Sequence, residues 1–423
     1  DKGKNSYISE TIDFLNNPRI VDALNSGSAT VDIGAIEVGS ICQTYSDDNR
    51  IYVNASATGT NTGESWANAF TDLQNALLFS ACADEIWIAK GTYKPHVSNE
   101  NTPFLLSINI TLLGGFNGTE TLATERDWNK NPTILSGDLN NTNTADAGDS
   151  HTIMLIQNKN VVIDGLIFEY GYADSNAAFG KDGSAIYSTV SFVVQNCIFR
   201  NNFALNVGGA IAVNSGDLVF LEMFLKNNLF HDNNATESGG ALYADNSRSS
   251  IIINVLNSTF WGNTSTKGSA IEVNRGTATI KNSIFSGNTG SPESISFSFF
   301  NTKPLTNNGT LYNSLLDGAL SSGLTDGGGN LLNADPLFTD SLNKDFTLTD
   351  LSPAIDAGDN NLVTQSKDLG ANDRISTKGR GTPIVDMGAY EAFNTCDIFT
   401  DDHIYVNASA TGTNTCESWE NAF

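Results

Sequence analysis

The 423-residue chain carries 22 Lys plus Arg against 47 Asp plus Glu, a formal charge of −25, with only 16% of its residues charged. That balance repels phosphate backbones and anionic headgroups, which argues against nucleic acid and acidic membrane surfaces as partners; no apolar run approaches the roughly 18–20 residues of a membrane span, so no membrane insertion is expected. Five cysteines are too few for a disulfide-built scaffold, and none has the CxxC or Cys/His spacing of a zinc site.

Taken in chain order, the first feature is a recurrence. Residues 51–70 read IYVNASATGTNTGESWANAF and 404–423 read IYVNASATGTNTCESWENAF, so the chain returns to its own beginning after 353 positions with two changes. Upstream, VDIGAIE at 31–37 answers VDMGAYE at 385–391, and DFLNNPRI at 13–20 answers DLGANDRI at 368–375. The chain therefore reads as a window on tandem copies. Residues 1–40 close one copy, 41–50 form a linker, 51–395 make a complete copy, 396–403 form a second linker and 404–423 open the next copy. Neighbouring copies are then the first expected partners, with lateral self-association a further expectation.

Within the complete copy, Trp66, Phe70, Leu73 and Leu77 fall at i, i+4, i+7 and i+11. This spacing predicts a short amphipathic capping helix over about 65–81, with Ser65 as its N-cap, covering the open strand edges of whatever follows. A strand is expected at 86–89. From about 85 to 391 the chain reads as coils, ten or eleven of them, ending in irregular turns at 351–358 and a last strand at 385–391.

The coils announce themselves between 160 and 290. FRNN at 199–202, FHDN at 230–233, FWGN at 260–263 and FSGN at 285–288 recur at spacings of 31, 30 and 25, alongside GSAI at 183–186, GGAI at 208–211, GGAL at 239–242 and GSAI at 268–271. Such a period, with β-branched and aromatic runs punctuated by Gly and Asn, is what one coil of a three-sided solenoid requires. The fold expected is all-β, a right-handed parallel β-helix (solenoid) with a short amphipathic N-terminal capping helix. Phe199, Phe230, Phe260 and Phe285 should form an inward core ladder, with Ile211, Leu242 and Ile271 an aliphatic one. The small pairs suit positive φ or close backbone approach, and the asparagines suit turns.

Four cysteines are disulfide candidates. Cys42 and Cys396 occupy matching places in the two linkers, so Cys42 pairs with Cys82 or both stay thiols, and Cys416 offers Cys396 an alternative partner. Cys197 reads as a buried thiol. Asn-x-Ser/Thr triplets occur at Asn54, Asn109, Asn117, Asn140, Asn234, Asn257, Asn263 and Asn308. The acidic stretches 136–150 and 356–361 are the places where Ca2+ would bind through carboxylates and carbonyls, against a competing reading as solvated turns; neither fits an EF-hand or a nonapeptide calcium pattern. No other cofactor is expected. No catalytic residue stands out: Arg200, Lys226 and His231 are isolated along coils made mainly of Asn, Ser, Gly and apolar residues.

The alternating F-x-x-N and GGA[IL] motifs resemble the repeats of bacterial polymorphic outer-membrane proteins. SWANAFTDLQNAL at 65–77, EIWIAKGTY at 85–93, GGFNGTE at 114–120 and NPTILSGD at 131–138 look like the opening of large secreted bacterial β-helix proteins. DPLF at 335–338, SPAIDAGD at 352–359 and VDMGAYE at 385–391 look like their closing segment. The resemblance implies an extracellular, cell-surface module of a tandem-repeat adhesin or filament, a stiff rod that is not an enzyme. A glycan-binding module is the alternative, with surface glycans as partners, and a polysaccharide lyase or glycoside hydrolase a more distant one. Exposed aromatics along one face would mark the former, a carboxylate cluster in a groove the latter.

Overall fold

A computed structural model describes residues 49–177, 181–216, 218–298, 309–375 and 383–392. The chain winds as a right-handed parallel β-helix. Its three faces are parallel sheets: ten strands from Arg50–Val53 to Leu324–Asp326 in the first, nine from Gly91–Tyr93 to Leu331–Leu332 in the second and seven from Phe104–Leu106 to Ile295–Ser298 in the third. Nine steps between the ten strands of the first sheet make a body about 43 Å long at ~4.8 Å per step.

The register shows that coils of unequal length stack without losing their pairing. Leu221 pairs with Ile251, and Ile251 in turn with Gly276 over a slightly shorter coil. The step from Thr111 to Val162 is the longest of these, because this coil extrudes the acidic stretch around 137–150 between the second and third sheets. The last pairing on the first sheet, Gly309 with Leu324, closes over a much shorter span because the third sheet drops out.

Stacked side chains hold successive coils in register. Rings of Phe168, Phe199, Phe230, Phe260 and Phe285 stack at 4.9, 4.7, 4.7 and 4.6 Å between centroids, their planes within 6° of parallel. Beside them the asparagines of the F-x-x-N motif form a polar ladder. Asn233 Nδ2 donates to Phe199 O and to Asn263 Oδ1, both at 2.9 Å, and Asn263 Nδ2 repeats the pattern on Phe230 O and Asn288 Oδ1. A second column turns the chain from first to second sheet: Asn196, Asn227, Asn257, Asn282 and Asn313 all adopt left-handed φ of 44 to 57°, which asparagine tolerates better than other side-chain-bearing residues. In the Gly pairs the first member takes positive φ, 64° at Gly208 and 63° at Gly239, while the second permits contact. A Cβ on Gly209 would lie 2.1 Å from Gly240 O of the next coil.

The capping helix is shorter than its sequence pattern predicts. It spans Leu73–Leu78, and Asp72 rather than Ser65 is its N-cap, its carboxylate accepting from the N–H groups of Gln74 and Asn75. Residues 65–71 are committed otherwise: Asn68 O accepts from Thr62 and Gly63, and Phe70 bridges to Val53 in parallel. Leu73 and Ala76 still bury against Ile51 and Val53 in the end of the core. Trp66 lies outside the helix, edge-on to Tyr52 at 4.8 Å.

The coils end near Leu332, not at 391. Residues 335–392, as far as they are described, turn back as a strap along the outer face of the second sheet. Phe346, Leu369 and Ala389 pack on Leu229, and Leu348, Ala354 and Met387 on Ile284 and Leu315. Residues 385–391 form no strand; their backbone docks on the asparagine column instead, Gly388 N donating to Asn282 O at 2.8 Å. Among the described residues no helix is long and apolar enough to cross a membrane.

Candidate functional site on the third sheet

Alternation along a strand sends every second side chain outward, and parallel register lines those side chains up across coils. On the third sheet Tyr187, Ala212, Tyr243, Glu272 and Ser296 are register partners in sequence, and so are Asn214, Asp245, Asn274 and Ser298. Both rows face away from the core ladder of Ile186, Ile211, Leu242, Ile271 and Ile295. Two half-buried tyrosines thus stand two coils apart with an alanine between them, bordered by amides and carboxylates.

The charged groups of this face are ordered and partly desolvated. Arg275 grips Asp245 with both Nε, at 2.8 Å, and Nη2. Burial nonetheless pushes the Asp245 carboxyl upward against the pull of that guanidinium, and desolvation wins. Asp182, at the mouth of the preceding loop, accepts Asn206 Nδ2 at 2.6 Å; burial raises it, and the charge of Glu237 adds to the rise. Burial and Asp182 together raise the Tyr187 hydroxyl. Lys267 pairs with Glu272 at 3.2 Å, yet Glu272 Oε2 and Asn274 Oδ1 are buried with no hydrogen-bond partner. Buried polar atoms are normally satisfied, and these two acceptors lie beneath the surface of the face, Glu272 being 1% exposed and Asn274 5%.

A second cleft, about 610 Å³, lies between the 123–128 turn and the strap. Its buried carboxylate, Asp164, is saturated by Arg126 at 2.5 Å, Gln195 at 2.8 Å and Asn196 at 2.7 Å. This arrangement locks the wall of the cleft.

The residues singled out from sequence are placed as follows. Phe199, Phe230, Phe260 and Phe285 are fully buried. Cys42, Cys396 and Cys416 lie outside the described residues; Cys82 ends a short 3-10 turn. Cys197 is a free, fully buried thiol whose pKa burial pushes up to about 12, which leaves it unreactive. Arg200 and His231 are not solvated singletons: Arg200 pairs with Glu169 at 2.6 Å, and His231 is buried beside Phe346 with Asp232 at 2.7 Å. Asn257 and Asn263 are buried to 1% and 0% exposure, so these triplets cannot carry a glycan in the folded chain. The acidic stretches spend their oxygens on themselves. Asp138 accepts from the N–H groups of Thr142 and Asn143, Asp149 from those of Leu139 and Asp146, and Asp359 from that of Asn361. Among the described residues no group of three or more His, Cys, Asp or Glu is arranged to hold a metal.

No protein-family model matches the chain, and no curated protein matches it. Among solved structures it is similar to the crystal structure of pectate lyase Pel9A, with 14% identity over 81% of this chain and 96% of that one and a TM-score of 0.34. Set beside the structure of a pectate lyase, the expectation that the chain is not an enzyme is withdrawn. The coils also carry more than Asn, Ser, Gly and apolar residues, because Asp245 and Glu272 stand in the outward rows of the third sheet. Sequence reading missed that face although a signal was present: the residue after each small-residue motif is Tyr187, Ala212, Tyr243 and Glu272 in turn.

Proposed function

We propose that the chain is an extracellular β-helix module, one of a tandem series at a cell surface, that holds a glycan chain along the outer face of its third sheet. The observation that carries this reading is the Tyr187 and Tyr243 pair, two coils and therefore about 9.6 Å apart, roughly the reach of a disaccharide, with the fully buried Ala212 between them. Aromatic faces suit the C–H surface of sugar rings, and the flanking Asn214, Asp245 and Asn274 suit hydroxyls. The recurrence of 51–70 at 404–423 supports a series of such modules, in which weak contacts multiply by effective concentration and the stacked coils act as a stiff spacer. The Asp182 carboxyl, which burial raises and which accepts Asn206 Nδ2 at 2.6 Å at the edge of this face, favours a second reading, in which the bound chain is also cleaved with Asp182 as proton donor.

The test is calorimetry of the full chain with neutral and uronate-containing hexasaccharides, with reducing ends and unsaturated products assayed in the same samples. Binding that falls about tenfold in Tyr243→Ala, close to the ~1.4 kcal/mol that a tenfold change represents, supports the glycan reading. Product formation adds turnover. No binding and no product with any glycan sinks both readings.

A further inference from the structure

The left-handed turn that follows the second sheet recurs from coil to coil. It is occupied by Asn201 at φ 54°, Asp232 at 55°, Gly262 at 62° and Gly287 at 65°, residues that reach this conformation cheaply. One coil earlier the same place holds Tyr170 at φ 60°. A bulky side chain is strained there, and the fold does not require it, because four neighbouring coils make the same turn with Asn, Asp or Gly. Strain without a fold reason directs attention to what the ring borders.

It borders a pocket of about 300 Å³ lined by Tyr170, Asn201, Phe203, Asp232, Asn234 and Thr144. The Phe203 ring is half-buried and stacks on Tyr172 at 4.9 Å, which fixes its plane. The Asp232 carboxylate is oriented by His231 at 2.7 Å and by Lys344, whose Nζ lies 2.7 Å from Oδ2. Asn234 is exposed. Two aromatic side chains, two amides that both donate and accept, and one fixed carboxylate match a ring with an apolar face and a rim of hydroxyls, and the volume is at the small end of ligand pockets.

We propose that this pocket binds a single neutral pyranose residue, with its ring against Tyr170 and Phe203 and its hydroxyls on Asn201, Asp232 and Asn234. The inference rests on the glycan reading above and adds a subsite built from the second-to-third-sheet turns. Saturation-transfer NMR of the full chain with methyl β-glucoside, methyl β-galactoside, methyl α-mannoside and N-acetylglucosamine tests it, with thermal melts of each variant. Tyr170→Asn installs the residue that the next coil uses at Asn201. The expected result is an unchanged or higher melting temperature together with at least tenfold weaker binding of whichever monosaccharide the native chain takes up. Phe203→Ser should weaken the same sugar. Absence of transfer to all four sugars overturns the pocket, as does native affinity in Tyr170→Asn. A lower melting temperature with affinity intact overturns it too, and makes Tyr170 a prop for the 137–150 loop. Loss of hexasaccharide binding in Tyr243→Ala but not in Tyr170→Asn overturns the subsite while leaving the third-sheet groove standing.

Discussion

The solenoid coils and the strap that lies against them solve the same problem by opposite means. In the coils buried polar groups are served by their counterparts one coil away, as when Asn202, Asn233, Asn263 and Asn288 hand hydrogen bonds along the ladder at 2.9 to 3.0 Å. Stability there is distributed and repetitive. The strap has no period, and beside its apolar contacts with the second sheet it gathers buried polar groups into a knot around Arg374. Arg374, 1% exposed, donates Nη1 to Glu391 Oε1 at 2.9 Å and to Gly388 O at 3.0 Å, and Nη2 to Ala389 O at 2.9 Å and to Asn227 Oδ1 in the coil beneath. Asp368 closes the knot by accepting from the Glu391 and Asn372 N–H groups. A ladder can lose one member and keep its neighbours; a knot cannot.

The sharpest way to break that contrast is Arg374→Ala. Removing the guanidinium leaves Glu391 Oε1, Gly388 O, Ala389 O and Asn227 Oδ1 without their donor, at about 1–3 kcal/mol for each buried acceptor left unsatisfied. The loss should be local. Proteolysis should cut within 340–392 while the coils resist, and calorimetry should show a new early transition ahead of an unshifted main one. A single transition moved downward as a whole would mean that strap and solenoid unfold as one unit and that the contrast is false.

Much of this difference is visible in the sequence, but in different ways for the two regions. The coils are legible because each makes the same physical demands: a ring at the Phe230 position, an amide at Asn233 and a small pair at Gly239 and Gly240 all recur at the coil period. The third-sheet face is not, since each coil contributes one or two outward residues of unlike chemistry and only register brings Tyr187, Tyr243 and Glu272 into one row. The strap lies between these cases. Asp13, Arg19, Asp32 and Glu37 recur in the sequence as Asp368, Arg374, Asp386 and Glu391, which marks the members of the knot. What they pack on could not be read, because an aperiodic segment carries no register. The helix start was misplaced for a similar reason: Trp66 and Phe70 continue a helical spacing that parallel pairing with the first strand overrides.

In the coils, Asn233→Ala should be the most damaging ladder substitution, at about 2–3 kcal/mol, because it leaves buried partners unsatisfied. It removes donors to Phe199 O and Asn263 Oδ1 and the acceptor for Asn202 Nδ2, all in a fully buried position. Unlike the Arg374 variant, it should lower the main transition without freeing the strap. Urea unfolding measures it, and a loss smaller than the net worth of one ordinary hydrogen bond would show that neighbouring rungs re-pair around the gap.

The smallest effect expected is the pH dependence contributed by Asp386, and its sign separates the two regions. Burial, helped by the Asp356 charge, pushes Asp386 up to about 6, and burial pushes Glu391 up to about 8 even against Arg374. Both folded values lie above the ordinary carboxyl range near 4, so the folded strap holds these protons more tightly than the unfolded chain does. Their contribution is full below about pH 4 and is lost as the pH rises through 6 and then 8. Strap stability should therefore fall between pH 5 and pH 8.5, by about 1–2 kcal/mol for Asp386 alone. General charge repulsion at −25 also grows over this range and would weaken the whole chain, so the discriminating measurement is a difference. Asp386→Asn should flatten the pH slope of strap opening, read against the native chain by the rate of proteolysis within 340–392, and leave the pH slope of the main thermal transition untouched. An unchanged slope in the variant would mean that Asp386 is ionised throughout, held charged by the Ala392 and Asp356 N–H groups that it accepts.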